Sequence, residues 1–211
     1  MRQILIIQSL ETIESKILVS IKKCGRGTYV FAKDFLRFGD AKSISKALER
    51  LTNDNIFIRI GRGIYYYPKI DRQLGLGILL PTIDETANAI AKRDKARIVP
   101  TGEYAVNRLG FSTQIPMNVV YLTDGNNRKI VLNSGATIQF KHTSTKNLAY
   151  KSKLAMLICF AYKSLGQEFI TEEIKIKTKQ LLENESQTTV QQDYKLMPVW
   201  ISTILQSLYE K

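Results

Sequence analysis

A cluster of short polar and basic side chains between residues 42 and 46 has the residue types and spacing of a DNA contact. Lys42, Ser43, Ser45 and Lys46 lie within five consecutive residues. Lysine reaches phosphate oxygens or the acceptors of guanine, and serine donates to phosphate or to either type of base. An ordinary solvated helix face has the same composition, so the surrounding elements must decide between the two interpretations.

Three arginines further along the chain extend this set. Arg62 stands between two glycines, as in the tip of a hairpin, and Arg59 precedes it on the outward side of a strand. An arginine at a hairpin tip can lie along a phosphate backbone or enter a minor groove, although a charged turn can also simply keep an edge strand soluble. We expect the following residues to bind DNA: Lys42, Ser43, Ser45, Lys46, Arg50, Arg59 and Arg62.

The first group of residues belongs to a predicted helix over Ala41–Asn53. Its apolar residues, Ile44, Ala47, Leu48 and Leu51, follow the i, i+3, i+4, i+7 spacing of one buried face. At about 100° per residue the lysines point the other way. Asp40 precedes the helix and is a suitable N-cap, because its carboxylate can accept free backbone N–H groups of the first turn.

A change of period near Ile56 predicts a β-hairpin after this helix. Apolar residues then alternate up to a turn at Gly61–Gly63, and Ile64–Tyr67 returns as the second strand. At least one tyrosine of the second strand is expected in the core, with base stacking by the others as an alternative. Two further helices are predicted over Glu11–Lys23 and Phe31–Phe38. Three helices followed by a hairpin are the order of a winged helix-turn-helix.

Pro68 ends the hairpin, so we place a domain boundary at residue 70. The fold class expected is α+β, with an N-terminal winged helix-turn-helix (residues 1–70) and a mixed domain with a small sheet and C-terminal helices (residues 71–211). The mixed domain is expected to have helices over Ile83–Lys95, Gly102–Leu109, Asn147–Leu165, Thr171–Leu182 and Val199–Tyr209, and strands over Asn118–Leu122, Lys129–Leu132 and Thr137–Lys141.

The charge of the chain favours a polyanionic partner. Its net charge is +12, and residues 1–72 carry 14 basic and 7 acidic residues, a net charge of +7. Cys24 and Cys159 are isolated from each other, which suits a reducing cytoplasm. The longest apolar run, Leu154–Tyr162, is far short of the roughly 20 residues of a membrane span. We therefore expect a soluble cytoplasmic protein without a membrane partner.

Signatures of enzymes are absent from the sequence. His142 is the only histidine, and no HExxH, GxSxG or P-loop pattern occurs. The segment Thr101–Leu109 leads from a predicted strand into a helix, a geometry that suits an anion but is better explained by capping and packing. We predict no catalytic residue, no metal site and no cofactor. The alternatives left open are a nucleic-acid-processing enzyme that docks through the winged helix, and a winged helix that binds protein.

Two segments resemble a known family. Asp40–Pro68 (DAKSISKALERLTNDNIFIRIGRGIYYYP) resembles the winged helix of the AbiEi family of type IV antitoxins and its uncharacterised relatives, through an ALxRL core on the third helix and an RxGRGxYYYP wing. Ile98–Pro116 (IVPTGEYAVNRLGFSTQIP) and Tyr121–Asp124, followed by a glycine, also resemble those relatives. The resemblance covers most of residues 10–165.

This resemblance implies an autoregulating antitoxin that binds double-stranded DNA at its own promoter. Its functional partner would be a separately encoded, nucleotidyltransferase-like toxin, which such antitoxins need not contact directly. The candidate DNA-binding residues carry over by their position in the motif. The long antitoxins of the group have a larger C-terminal domain, and Leu74–Lys211 has no demonstrated equivalence to it. The operator, the toxin and the oligomeric state stay open.

Overall fold

A computed structural model describes residues 12–210 and is a mixed α+β structure with small sheets and C-terminal helices, as predicted. The α-helices are α1 (Ile13–Cys24), α2 (Ala41–Asn53), α3 (Ile83–Arg93), α4 (Glu103–Arg108), α5 (Lys153–Leu165), α6 (Glu172–Leu182), α7 (Gln187–Asp193) and α8 (Val199–Tyr209). Four 3₁₀ helices span Ala32–Phe38, Thr145–Leu148, Gln167–Phe169 and Tyr194–Leu196.

The strands form three small sheets. They are β1 (Thr28–Phe31), β2 (Ile58–Gly61), β3 (Ile64–Tyr67), β4 (Lys69–Asp71), β5 (Gly77–Leu79), β6 (Ile98–Thr101), β7 (Asn118–Thr123), β8 (Arg128–Val131) and β9 (Thr137–His142). The sheet orders are β1-β3-β2, β4-β5 and β6-β7-β9-β8. The first two sheets are antiparallel, whereas β7 and β9 are parallel.

The described residues divide into two compact units. The first contains residues 12–89 together with Val131–Gly135, and the second contains Ile90–Ile130 and residues 136–210. The boundary that the sequence predicts at residue 70 falls in β4, and it stays a prediction.

The core of the first unit lies between α1, α2 and the sheet β1-β3-β2. Ile17, Ile44 and Leu48 are completely buried there. The apolar face predicted for α2 is confirmed, because Ile44, Ala47, Leu48 and Leu51 are all buried. Deleting a buried Leu or Ile side chain costs about 2–5 kcal/mol, so this core fixes the orientation of α2.

The predicted short helix over Phe31–Phe38 is confirmed except at its first residue, Phe31, which is in a strand. Thr28–Phe31 is a strand, whose partners on β3 run from Tyr67 to Ile64. The 3₁₀ helix follows over Ala32–Phe38. The tertiary pairing with β3 decides the conformation of Phe31, which helical spacing alone had placed in a helix. The predicted first helix begins at Glu11, which lies outside the described residues.

The second unit has its own core. The helices α4 and α5 pack on one side of the sheet around Ala155, Ile158 and Cys159, which are completely buried. Ile201 and Leu205 of α8 are also completely buried in this core. Of the described helices, none is both long and apolar enough to cross a membrane.

The predicted helix over Asn147–Leu165 is too long, because α5 begins only at Lys153. The buried carboxylate of Asp193 accepts the backbone N–H groups of Lys151 and Ser152 at 2.8–3.1 Å. The hydroxyl of Ser152 then caps α5 by accepting the N–H of Ala155 at 3.0 Å. A carboxylate 41 residues downstream thus fixes the non-helical turn before α5.

Candidate nucleic-acid interface

The start of α2 is fixed by a short capping bond. The carboxylate of Asp40 accepts the backbone N–H of Ser43 at 2.6 Å, as the sequence predicts. This hydrogen bond lowers the pKa of the Asp40 carboxyl. The cap therefore carries a negative charge at neutral pH, and it defines where the first turn begins.

The face of α2 opposite its core is exposed and mainly basic. Lys42, Ser45 and Lys46 are exposed, whereas Ser43 is only partly exposed beside the cap. Glu49 is exposed on the same face and is its only acidic member. The structure therefore brings Lys42, Ser45 and Lys46 together on one surface, with Ser43 at its flank.

Arg50 has a partner on α1. Its guanidinium donates to the Glu14 carboxylate at 2.6 Å, while 67% of the Arg50 side chain stays exposed. A backbone N–H bond at Glu14 and then the Arg50 guanidinium lower the pKa of this carboxyl. Arg50 thus joins α1 to α2 and still presents part of its charge to solvent.

The predicted hairpin is confirmed as β2 and β3, joined by Arg62 and Gly63. Gly61 is the register partner of Ile64, and the register shifts between Arg59 and Gly61. Gly63 has φ of 71°, a left-handed conformation that favours glycine. Arg59 and Arg62 are both exposed, Arg62 at the tip of the hairpin.

The outer edge of this hairpin is covered by a distant segment of the same unit. The backbone N–H of Asn133 donates to the carbonyl of Ile60 at 2.8 Å. The side-chain amide of Asn133 donates to the backbone carbonyl of Arg59 at 3.0 Å. Leu132 forms a bridge to Gly61. Sequence reasoning missed this support, since the turn at Ser134-Gly135 signalled only a local bend.

The base of the hairpin is held by an arginine that sequence reasoning also missed. Arg26 donates to the carbonyl of Pro68 at 3.0 Å, and its guanidinium lies 4.8 Å from the centroid of the Tyr67 ring. The N–H of Gly27 donates to the carbonyl of Tyr67 at 2.7 Å. The available signal was the sequence Gly25-Arg26-Gly27, which has the same pattern as Gly61-Arg62-Gly63.

The ion pairs show which basic side chains have a carboxylate partner. In the first unit Arg50 pairs with Glu14. Basic residues of the second unit form ion pairs with carboxylates, namely Arg97 with Asp124, Arg128 with Asp94, Lys175 with Glu172 and Lys177 with Glu173. Within residues 12–210, Lys42, Lys46, Arg59 and Arg62 are exposed and form no ion pair, and the same holds for other exposed cations of the first unit such as Lys22, Lys23 and Lys33. Because no carboxylate pairs with them, Lys42, Lys46, Arg59 and Arg62 can act on a polyanion.

The other chemistry-bearing residues have local structural partners. The Nδ1 atom of His142 lies 2.9 Å from the carbonyl oxygen of Gly125, and Cys159 is buried. A shallow groove of about 250 Å³ in the second unit is lined by Lys179, Leu182, Glu183, Glu185, Leu208 and Tyr209. One of its glutamates, Glu185, accepts the Ser152 hydroxyl at 3.0 Å. Among the described residues, no three His, Cys, Asp or Glu side chains are placed to hold a metal ion.

Comparison with known proteins finds one family. The profile of a family of unknown function (DUF6088) matches residues 16–190, which spans both units. No curated protein matches the chain.

Proposed function

The chain belongs to the DUF6088 family, whose function is unknown, and we propose that it is a DNA-binding transcriptional regulator. In this proposal residues 13–67 form a winged helix-turn-helix domain. The single observation that carries it is the unpaired basic surface formed by Lys42 and Lys46, on a helix that is followed directly by a hairpin with Arg62 at its tip.

The order of elements supports this assignment. The first unit runs α1, β1, the 3₁₀ helix, α2, β2 and β3, and its sheet has the order β1-β3-β2. In a winged helix the last helix before the hairpin is the recognition helix, and the hairpin is the wing. These positions correspond to α2 and to β2–β3. The N-terminal half of a recognition helix enters the major groove, and that half of α2 contains Lys42, Ser45 and Lys46.

Different roles follow for the helix and the wing. Lys46 and Ser45 are on the exposed face of α2, where side chains contact base edges in a major groove. Arg59 and Arg62 are on the hairpin, where a guanidinium contacts phosphates and positions the protein without distinguishing sequences. Arg50 contributes from the flank, where its guanidinium also pairs with Glu14 of α1.

Titration of the full chain against DNA tests the proposal. A labelled duplex from upstream of the protein's own gene should bind more tightly than a scrambled duplex of the same composition. If Lys42, Arg59 and Arg62 contact phosphate, log K should fall with log salt with a slope of roughly −3. The double variant Lys42→Ala/Lys46→Ala should lose the preference, whereas the matched Lys175→Ala/Lys177→Ala on α6 should keep it. Equal binding of both duplexes by the wild type would refute the proposal that the protein regulates this promoter.

We further propose, from the resemblance to the AbiEi family, that the regulator is the antitoxin of a type IV-like pair. In this proposal it represses its own promoter, and residues after the wing supply protection against a nucleotidyltransferase-like toxin. Direct contact with the toxin is not required. Co-expression of the full chain with such a toxin from the neighbouring gene should restore growth. The Lys42→Ala/Lys46→Ala variant should still protect, because its second unit is unchanged. Failure of the wild type to protect the cells would refute the antitoxin role. It would not affect the proposal that the protein binds DNA.

A further inference from the structure

The hairpin formed by β4 and β5 exposes a run of large apolar side chains outside the basic surface. This apolar arm, defined as residues 70–80, exposes the following fractions: Ile70 38%, Leu74 78%, Leu76 63%, Ile78 51% and Leu80 67%. Single exposed apolar residues are normal on proteins, but a contiguous patch of several hundred Å² marks an interaction site. Ile70 and Ile78 are register partners on the two strands, so their side chains lie on the same face of the hairpin.

The backbone of the arm is also open to a partner. Its sheet has two strands, β4 and β5, with Lys69 opposite Leu79 and Asp71 opposite Gly77. Each strand therefore has one edge that is not paired within the described residues. Unpaired edges are templates for another strand, and an isolated two-stranded hairpin is marginally stable. A strand added by a partner would pair with a free edge of the hairpin and would also stabilise the hairpin.

The distribution of charge along the chain favours a second copy of the chain as the partner of the arm. Residues 73–81 contain no charged residue, although the chain has a net charge of +12. Two copies of so basic a chain repel each other over most of their surfaces. A contact between copies is therefore favoured where net charge is absent, and the apolar arm is such a place, because its only charged residues, Asp71 and Arg72, have opposite signs. A strongly acidic partner would instead be attracted to the basic surface of α2.

We propose that the apolar arm is the interface through which two copies of this chain associate. The contact is two-fold symmetric, with the arm of one copy against the arm of the other, as isologous dimers require. The five exposed fractions add up to about three fully exposed side chains per copy. Two such arms together with their backbone edges approach the roughly 1,000 Å² that a specific interface needs.

The dimer does not depend on the proposed DNA-binding function. Only the expected effect of the dimer on DNA affinity rests on that function. A two-fold dimer presents two α2 helices, which would contact two half-sites of an inverted repeat. The affinity for such a repeat would then exceed that for one half-site, because the second contact is intramolecular.

Sedimentation equilibrium of the full chain over a range of concentrations tests the interface. The wild type should have twice the mass of the 24.0 kDa chain. Leu76→Lys/Ile78→Lys should raise the dissociation constant of the dimer roughly tenfold or more. The matched control Ile115→Lys changes a residue that is 74% exposed in the second unit, and it should leave the dimer intact. Leu74→Lys, at the most exposed position of the arm, should weaken the dimer. At a concentration at which the wild type is also monomeric, the two should have the same melting temperature.

Two outcomes would overturn the interface. A wild-type chain that is monomeric at every concentration would mean that the arm binds another molecule or none. A dimer that survives both arm variants would form elsewhere on the protein. A stable dimer that binds no duplex would refute the proposed function alone, whereas a monomer that binds duplex specifically would refute the dimer alone.

Discussion

Asn133 donates its side-chain amide to the backbone carbonyl of Arg59 at 3.0 Å, across 74 residues of chain. Its backbone N–H donates to the neighbouring carbonyl of Ile60 at 2.8 Å. One residue thus satisfies two consecutive carbonyls on the outer edge of β2. The edge is closed to other strands, and the hairpin that carries Arg62 gains a second support besides β3.

Asn133→Ala should loosen this hairpin without unfolding the protein. The substitution removes the side-chain bond and leaves the backbone bond, so the free energy of unfolding should fall by about 0.5–1.5 kcal/mol. Hydrogen exchange should quicken at the amides of β2 and β3, and DNA affinity should fall equally for all sequences. Ser134→Ala, at an exposed neighbour without this bond, is the control. Unchanged exchange in Asn133→Ala would show that the amide does not stabilise the hairpin.

The cap of α2 should make stability depend on pH. Because folding lowers the pKa of Asp40, its stabilising effect is complete above its ordinary value of about 3.9 and is lost as the pH falls through the lower folded value. Asp40→Ala should therefore lower the free energy of unfolding at neutral pH, and the difference from wild type should shrink in acid.

The Asp40→Asn variant distinguishes the effect of the capping hydrogen bond from the effect of the negative charge. Asparagine also accepts the Ser43 N–H but carries no charge. Chemical unfolding at several pH values should show that this variant keeps most of the stability at neutral pH but loses the dependence on acid. If Asp40→Ala is as stable as the wild type at neutral pH, the 2.6 Å bond to Ser43 contributes nothing to α2.

The pair Arg50–Glu14 should affect DNA binding more than stability. A double-mutant cycle with Arg50→Ala and Glu14→Gln should give a coupling of about 0.2–1 kcal/mol, because most of the Arg50 side chain is exposed. Glu14→Gln releases the guanidinium and should tighten DNA binding, whereas Arg50→Ala should weaken it. Weaker binding by Glu14→Gln would mean that the ion pair, by orienting α2, matters more than the free charge of Arg50.

Arg62→Ala should weaken binding to every duplex by the same factor. A phosphate contact carries no sequence information, and its loss should reduce the salt slope by about 1. Anisotropy titrations at three salt concentrations, on the preferred duplex and on two altered ones, measure both effects. Lys163→Ala in the second unit serves as the control. A change of preference in Arg62→Ala would place the hairpin tip at base edges instead.

The parts of the fold that the sequence predicts correctly are those governed by local periodicity. The pattern of Ile44, Leu48 and Leu51, with Asp40 before it, defines α2 because a buried helical face and its cap are local properties. The alternation up to Tyr67 defines the hairpin for the same reason.

The parts that the sequence did not predict depend on tertiary contacts. Phe31 is in a strand because Ile64 is its partner on β3, and α5 starts late because Asp193 holds the N–H of Ser152. The bond from Asn133 to Arg59 has no local signature at all. For the candidate site, residue types identify the cations, but only the structure distinguishes Arg50, which has a partner, from Lys42 and Lys46, which have none within residues 12–210.

Selection of duplexes from a random-sequence library by the full chain tests the central claim, that the exposed face of α2 recognises DNA sequence. The wild type should enrich a defined motif. Lys46→Ala should enrich an altered motif, with a loss of about 1–3 kcal/mol on the original one, and Lys175→Ala on α6 should enrich the original motif. Absence of an enriched motif for the wild type, or the same motif for Lys46→Ala, would contradict the claim.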